Sequence, residues 1–168
     1  MKRILFHGTA HAISAFTEAS IGLGSDPNSA LGIHTTDDPI YASEYALRSQ
    51  TIDTDTQEPT VLVIEYISSE QHYINHYEEF FGDEDDETNN KAYFSELRGE
   101  LIEEGIDLVD FEGGDEGIVA LLCPEKINII NRLTIEQAKV LSDHLNNMNI
   151  HWDSPDDILI AINFLRRQ

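Results

Sequence analysis

The apolar and polar positions divide this chain into short strand-like runs interrupted by a few amphipathic segments. Residues 3–7, Arg-Ile-Leu-Phe-His, are apolar and partly alternating, so they predict a strand that ends at His7, where Gly8-Thr9 breaks the run. Residues 10–30 are rich in Ala, Ser and Gly and predict a short helix and a long loop, with Ile21 to Asn28 as loop chemistry. Leu31 to Thr35 predicts a second short strand. Asp38 is placed to cap a helix whose first position is Pro39. That helix is expected to end near Gln50, with Ala42, Tyr45 and Ala46 on one face. A polar loop to Pro59 follows. Thr60 to Ile67, Thr-Val-Leu-Val-Ile-Glu-Tyr-Ile, is the clearest strand of the chain, because β-branched residues fill it.

Beyond an acidic run, residues 90–104 predict a helix with Tyr93, Phe94, Leu97 and Leu101 as its apolar stripe and Gly105 as its terminator. Ile106 to Phe111 reads as a strand, Glu112 to Asp115 as a turn. Gly117 to Leu122 and Ile127 to Ile130 read as two more strands joined around Pro124. Thr134 with Gln137 forms a capping-box pattern, and Ser154-Pro155-Asp156-Asp157 forms another. These predict helices near 135–147 and 155–166. No segment repeats and no low-complexity linker appears. The expected class is α+β, with one domain over residues 1–132 and a C-terminal helical appendage over 133–168 packed on it.

With 168 residues, 40% of them hydrophobic, the chain is sized for one domain with a real core. It holds no apolar run of the roughly 18 residues that span a membrane. The apolar stretch after Lys2 and Arg3 is too short for a secretory signal. The expected place is the cytoplasm of the cell that makes it; injection into another cell would leave no mark of this kind. The lone cysteine, Cys123, rules out an intrachain disulfide and a cysteine-based zinc site. In the run Ile-Val-Ala-Leu-Leu-Cys it reads as a small buried hydrophobe. The net charge is −22, and Glu78 to Glu87 is the densest acidic run. Such a surface repels phosphate backbones and attracts basic proteins. The run reads as a solvated acidic loop, with an acidic decoy that imitates DNA as the other reading.

Three segments concentrate candidate chemistry. The first is Phe6-His7-Gly8-Thr9. The second runs from Gly32-Ile33-His34 through Thr35-Thr36-Asp37-Asp38-Pro39 to Ala42-Ser43-Glu44-Tyr45-Ala46. The third is Glu116-Gly117-Ile118-Val119, trailed by Lys126-Ile127-Asn128. This order and spacing resembles the diphtheria-toxin-like, or H-Y-E, class of ADP-ribosyltransferases, which includes the poly(ADP-ribose) polymerases. In that class a strand ends in His-Gly-Thr or His-Gly-Ser, a glycine-led strand carries an aromatic ring, a helix carries a second ring, and a late Glu opens a strand. Here the ring positions are His34 and Tyr45, eleven residues apart. The resemblance covers about residues 4–131. The pattern is also similar to small transferase-like domains of phage and mobile-element polyvalent proteins.

The resemblance implies a split antiparallel β-sheet core with flanking helices, NAD as substrate, a protein acceptor and no metal. It assigns catalysis to Glu116, His7 and His34. It assigns NAD binding to His7, Gly8, Thr9, His34, Ser43 and Tyr45. The residue types suit the reaction. Cleaving nicotinamide from ribose passes through an oxocarbenium-like state, which a carboxylate near the ribose stabilises. Glu116 fits that task, with Glu112 as the rival carboxylate. His7 can bond a ribose hydroxyl. The Gly8 backbone can meet the nicotinamide amide because no Cβ intrudes. Two flat rings can sandwich nicotinamide, and the loop at 17–30 is expected to cover the site.

Two positions depart from the class, and a third is compared with a sister class. His34 stands where a Tyr is usual. Ala42 stands where a Ser is usual, with Ser43 one step out of phase. Gly114, two before Glu116, is not the acceptor-selecting Glu or Gln of arginine-directed enzymes. The His34 and Ala42 departures motivate an alternative, a catalytically weak or inactive protein of the same fold that binds a basic partner through its acidic surface. A third reading changes the acceptor to water or to a nucleic-acid group, and the net charge argues against the latter. Weaker patterns complete the survey. His72 and His76 at i,i+4 would suit a metal only on a helix, and Gln71 to Tyr77 is rich in strand formers. Gly22-x-Gly24 is too short for a dinucleotide fingerprint, and no Gly-x-Ser-x-Gly or P-loop occurs.

Overall fold

The computed structural model describes residues 1–24, 26–52, 57–69, 73–76, 90–112, 117–150 and 154–165, with the backbone alone at 51–52, 73–76 and 112. Among these residues the chain is mixed α+β. Its strands are β1 (Lys2–Thr9), β2 (Ile33–Thr36), β3 (Thr60–Ile67), β4 (Tyr73–His76), β5 (Leu108–Glu112), β6 (Ile118–Leu121) and β7 (Ile127–Thr134). Its helices are α1 (Pro39–Ile52), α2 (Lys91–Glu103), α3 (Ile135–Asn147) and α4 (Pro155–Leu165). Short 3₁₀ turns at Glu18–Ser20 and Pro27–Ala30 stand where a short helix and a long loop are expected.

The chain forms two compact units. The first takes Met1, Ala15–His34 and Ile67–Ile127; the second takes Lys2–Ser14, Thr35–Tyr66 and Asn128–Gln168. The chain passes from one to the other within β2, between His34 and Thr35. The two C-terminal helices therefore share a unit with β1, α1 and most of β3.

In the first unit the strands run β4-β5-β6. β4 pairs parallel with β5, Tyr73 opposite Val109 and His76 opposite Glu112. β6 pairs antiparallel with β5, Asp110 opposite Val119. The core is an apolar cluster that includes Leu31, Phe94, Leu101, Phe111 and Leu122. Helix α2 begins where the Asn90 side chain accepts the Tyr93 N–H at 3.0 Å, one of the donors a helix start leaves without an internal partner. Of its expected stripe, Phe94 and Leu101 are buried, whereas Tyr93 faces outward.

The second unit has the order β2-β1-β3-β7, with β1 antiparallel to β2 through Phe6 and Thr36. Its core joins Ile4 and Phe6 of β1, Val61 and Val63 of β3, Leu141 and Leu145 of α3, and Ile158 and Ile162 of α4. Local chemistry sets the helix starts. The Asp38 carboxylate accepts the Ile40 N–H at 2.8 Å, and the Thr36 hydroxyl accepts the Asp38 N–H at 3.1 Å. Thr134 and Gln137 form the expected reciprocal box, at 3.0 and 3.2 Å.

Two expectations are corrected here. β1 does not stop at His7 but continues through Gly8 to Thr9. Gly8 is not a breaker; it is where helix α1 touches the strand. A Cβ on Gly8 would lie 1.7 Å from the Ala42 carbonyl oxygen and 2.7 Å from the Ala46 nitrogen. The contact is backbone on backbone, so no rotamer change relieves it. It also decides the face that α1 buries. Ala42, Ser43 and Ala46 are buried, whereas Tyr45 is 43% exposed. Tyr45 therefore does not share the buried face with Ala42 and Ala46, because only small side chains fit against β1.

Gly8→Ala should destabilise the fold by at least about 3 kcal/mol, the upper range for overpacking a close contact. Denaturant titration of the variant against the parent chain measures this, and an unchanged midpoint would contradict the contact.

Candidate functional site

In the second unit, the approach at Gly8 brings two distant sequence segments together. His7-Gly8-Thr9 lies beside the helix that carries Ser43 and Tyr45. His7 is half-buried. Thr9 is buried, and its hydroxyl oxygen accepts the His11 N–H at 3.0 Å. Ser43 is buried and its hydroxyl donates to the Ile40 carbonyl at 2.6 Å, a bond that keeps its oxygen on its own helix. Tyr45 lies next to Tyr41, with ring centroids 5.1 Å apart at 81° and hydroxyls 3.5 Å apart. The Arg48 guanidinium lies over the Tyr45 ring, 5.8 Å from its centroid.

In the first unit, a second glycine does similar work. A Cβ on Gly32 would lie 2.5 Å from the Leu121 carbonyl oxygen, so the segment before His34 runs directly against the end of β6. His34 is half-buried and its ring stacks on Phe111, at 6.0 Å and 26°. Its Nε2 lies 3.1 Å from the Asn28 carbonyl oxygen. A carbonyl only accepts, so this contact places a proton on Nε2. Phe111 lies on β5, beside the Asp110–Val119 pair and hence near the start of β6. The first half of the second motif thus sits by the strand that opens the third.

Glu116 lies outside the described residues, as do Gly114, His72 and the acidic run from Glu78 to Glu87. Glu112 ends β5. His76 lies on strand β4 and not on a helix. Among the described residues no group of three His, Cys, Asp or Glu side chains is placed to hold a metal ion.

Residues that sequence reasoning did not single out hold the loop after Thr17. Arg98 of α2 donates to the Leu122 carbonyl through Nε at 2.9 Å and Nη2 at 2.6 Å, and to Glu18 at 2.7 Å. Lys91 donates to the carbonyls of Gly22 and Gly24, both at 2.7 Å. Together with His34 on Asn28, these contacts pin the loop at four places. Nothing local marks Lys91 or Arg98 for this, since their targets on the loop lie 67 to 80 residues away.

A third cluster ties strand ends together. Asp107 is 2% exposed, and its carboxylate accepts the Ser69 N–H at 2.9 Å and the Lys126 ammonium at 2.6 Å. The hydrogen bond to Asp107 raises the Lys126 pKa, and burial raises that of the Cys123 thiol. Both groups thus hold their protons more tightly folded than unfolded. Their contribution is complete below the ordinary values of 10.5 and 9.0 and is lost as pH rises through the folded ones.

A scan of protein-family models finds no match, and searches of curated proteins and of solved structures find none either. Among the described residues no helix is long and apolar enough to cross a membrane.

Two outcomes follow for this region. Stability should fall above about pH 9, with thiol-reagent access to Cys123 slow in the folded chain at neutral pH and fast in denaturant; pH-dependent denaturation and thiol titration measure both. His34→Phe keeps a ring for Phe111 but loses the Asn28 bond. Amide exchange at Gly22, Ser29 and Leu31 should then quicken by up to about tenfold, the worth of one hydrogen bond.

Proposed function

We propose that this chain is an NAD-dependent ADP-ribosyltransferase of the diphtheria-toxin-like kind, passing ADP-ribose from NAD to a protein acceptor and releasing nicotinamide. Its mixed α+β core belongs, on this reading, to that fold. The observation that carries the proposal is the backbone contact of Gly8 with Ala42. It supports a common site for His7 and Tyr45, two motif residues that lie far apart in the chain. The packing of Gly32 on Leu121 supports the same pairing of His34 with the strand that Glu116 precedes.

In this mechanism His7 holds a ribose hydroxyl and the Gly8 backbone meets the nicotinamide amide. Tyr45 and His34 flank the nicotinamide ring. The bond between the ribose C1′ and the nicotinamide nitrogen breaks, and its electron pair leaves with neutral nicotinamide. The positive charge that grows on the ribose is stabilised by Glu116. The acceptor nucleophile then forms its bond to C1′ and gives up a proton. The net charge of −22 favours a basic protein over nucleic acid as acceptor. Ser43 and Thr9 contribute through backbone position on this reading, since both hydroxyl oxygens have local partners.

A second reading is favoured by one observation. The His34 ring has protein contacts on Phe111 and on the Asn28 carbonyl. On this second reading the ring is used for packing, and the chain keeps the fold but binds a basic partner through its acidic surface instead of turning over NAD. Calorimetry with NAD separates the two, since only the first requires binding.

Incubation with labelled NAD and a cell lysate tests the leading proposal. Glu116→Gln should lower labelling by about 10²–10³-fold, the usual cost of losing one electrostatic contact to a transition state. Equal labelling by both proteins would remove Glu116 from the mechanism.

A further inference from the structure

We propose that the outward faces of α3 and α4 form a docking surface for a basic amphipathic helix of a protein partner. Both readings of the function invoke a basic protein. The inference rests on that partner, needs no NAD, and names the part of the chain that meets it.

Both helices supply the core with one side and keep apolar side chains on another. Leu141 and Leu145 of α3 are buried, as are Ile158 and Ile162 of α4. Apolar surface remains beyond these. Val140 is 41% exposed, Ile160 67% and Phe164 51%. From Ile158 to Leu165 only Asn163 is polar. A helix apolar on nearly all sides is normally covered on nearly all sides. The exposed side chains form one surface and are not scattered. Val140 stands one turn before His144 on α3, and Ile160 one turn before Phe164 on α4. The His144 and Phe164 rings stack at 5.7 Å and 12°, which joins the two stripes.

Charge names the occupant. Each stripe begins with an acid one turn earlier, Glu136 before Val140 and Asp156 before Ile160. Asp143 precedes His144, and Asp157 follows Asp156. Asp156 shares Lys2 with Glu65. Among the described residues Glu136, Asp143 and Asp157 have no ion-pair partner. Lys139 is the one Lys or Arg of the two helices. An apolar centre with an acidic rim matches a helix with apolar residues at i and i+4 and Lys or Arg beside them. The net charge of −22 opposes the other covers, because a second copy and an anionic membrane are both repelled.

Fluorescence anisotropy with a labelled helical peptide of leucine and lysine, its leucines on one face, tests this. The parent chain should bind it. A scrambled peptide of the same composition should bind at least about tenfold more weakly, since it has no apolar face to bury. Ile160→Ser and Phe164→Ser should each weaken the helical peptide by about tenfold, the cost of one large apolar contact. Ile160→Ser breaks no ring pair, so it reads docking even where Phe164→Ser disturbs the helices. Glu136→Gln with Asp143→Asn should weaken binding a few-fold and flatten its salt dependence. Ile67→Ser, which removes a comparably exposed side chain from β3, should match the parent. Equal affinity of Ile160→Ser and the parent would overturn the proposal; if that binding is salt-sensitive, a basic partner stands and only this surface falls. Equal binding of the scrambled peptide, or no binding of either, would overturn it as well. So would a parent chain that sediments as a dimer while Ile160→Ser is a monomer, which would give the surface to a second copy. No measurement here contains NAD, so failure of the docking surface and failure of the NAD reading are separate results.

Discussion

The backbone of β1 touches the backbone of α1 at Gly8, and much of the second unit depends on that contact. A single methyl group there would sit 1.7 Å from the Ala42 oxygen. The contact therefore demands glycine on the strand and small residues on the helix. It seats Ala42 and Ala46 in the interior and sends Tyr45 outward. Arg48, three residues later, follows Tyr45 to the exposed side. The same seating places α1 in the cluster built from Ile4, Phe6, Leu141 and Ile158. The seating of the helix, and with it the exposure of Tyr45, thus follows from one missing side chain.

The first unit is organised around a comparable approach. Gly32 lies against the Leu121 carbonyl, and the ring of His34 then rests on Phe111. Charged side chains do the remaining work. Arg98, Lys91 and Lys126 each donate to backbone or buried carboxylate oxygens, so three of the chain's 10 basic residues serve architecture.

His34 combines packing with a polar contact. As an imidazole it both stacks and donates to Asn28, which joins the loop after Thr17 to the motif. A phenol ring at the same place carries its polar atom further from the ring and would not make the same bond. The imidazole is therefore matched by a local partner.

Elements whose cause is local were legible in the sequence. Asp38 caps α1 and Thr134 pairs with Gln137 because these bonds span two or three residues. The run Thr60–Ile67 is a strand because its own side chains favour one. The candidate residues His7, Gly8, His34 and Tyr45 were legible as a pattern of residue types at fixed spacing. What the sequence could not convey were causes lying far along the chain. Gly8 looked like a break in β1 because its reason, the Ala42 oxygen, is 34 residues away. Tyr45 was expected on one face with Ala42 and Ala46, because helical spacing gives a face, not what that face must fit against. Lys91 and Arg98 carried no mark at all, since a long flexible cation finds its carbonyl only after the backbone is folded. The sequence by itself determined where the capped helices and the β-branched strand start. Tertiary structure alone decided which faces are buried and which side chains meet, because close packing is a property of pairs of backbones and not of either one.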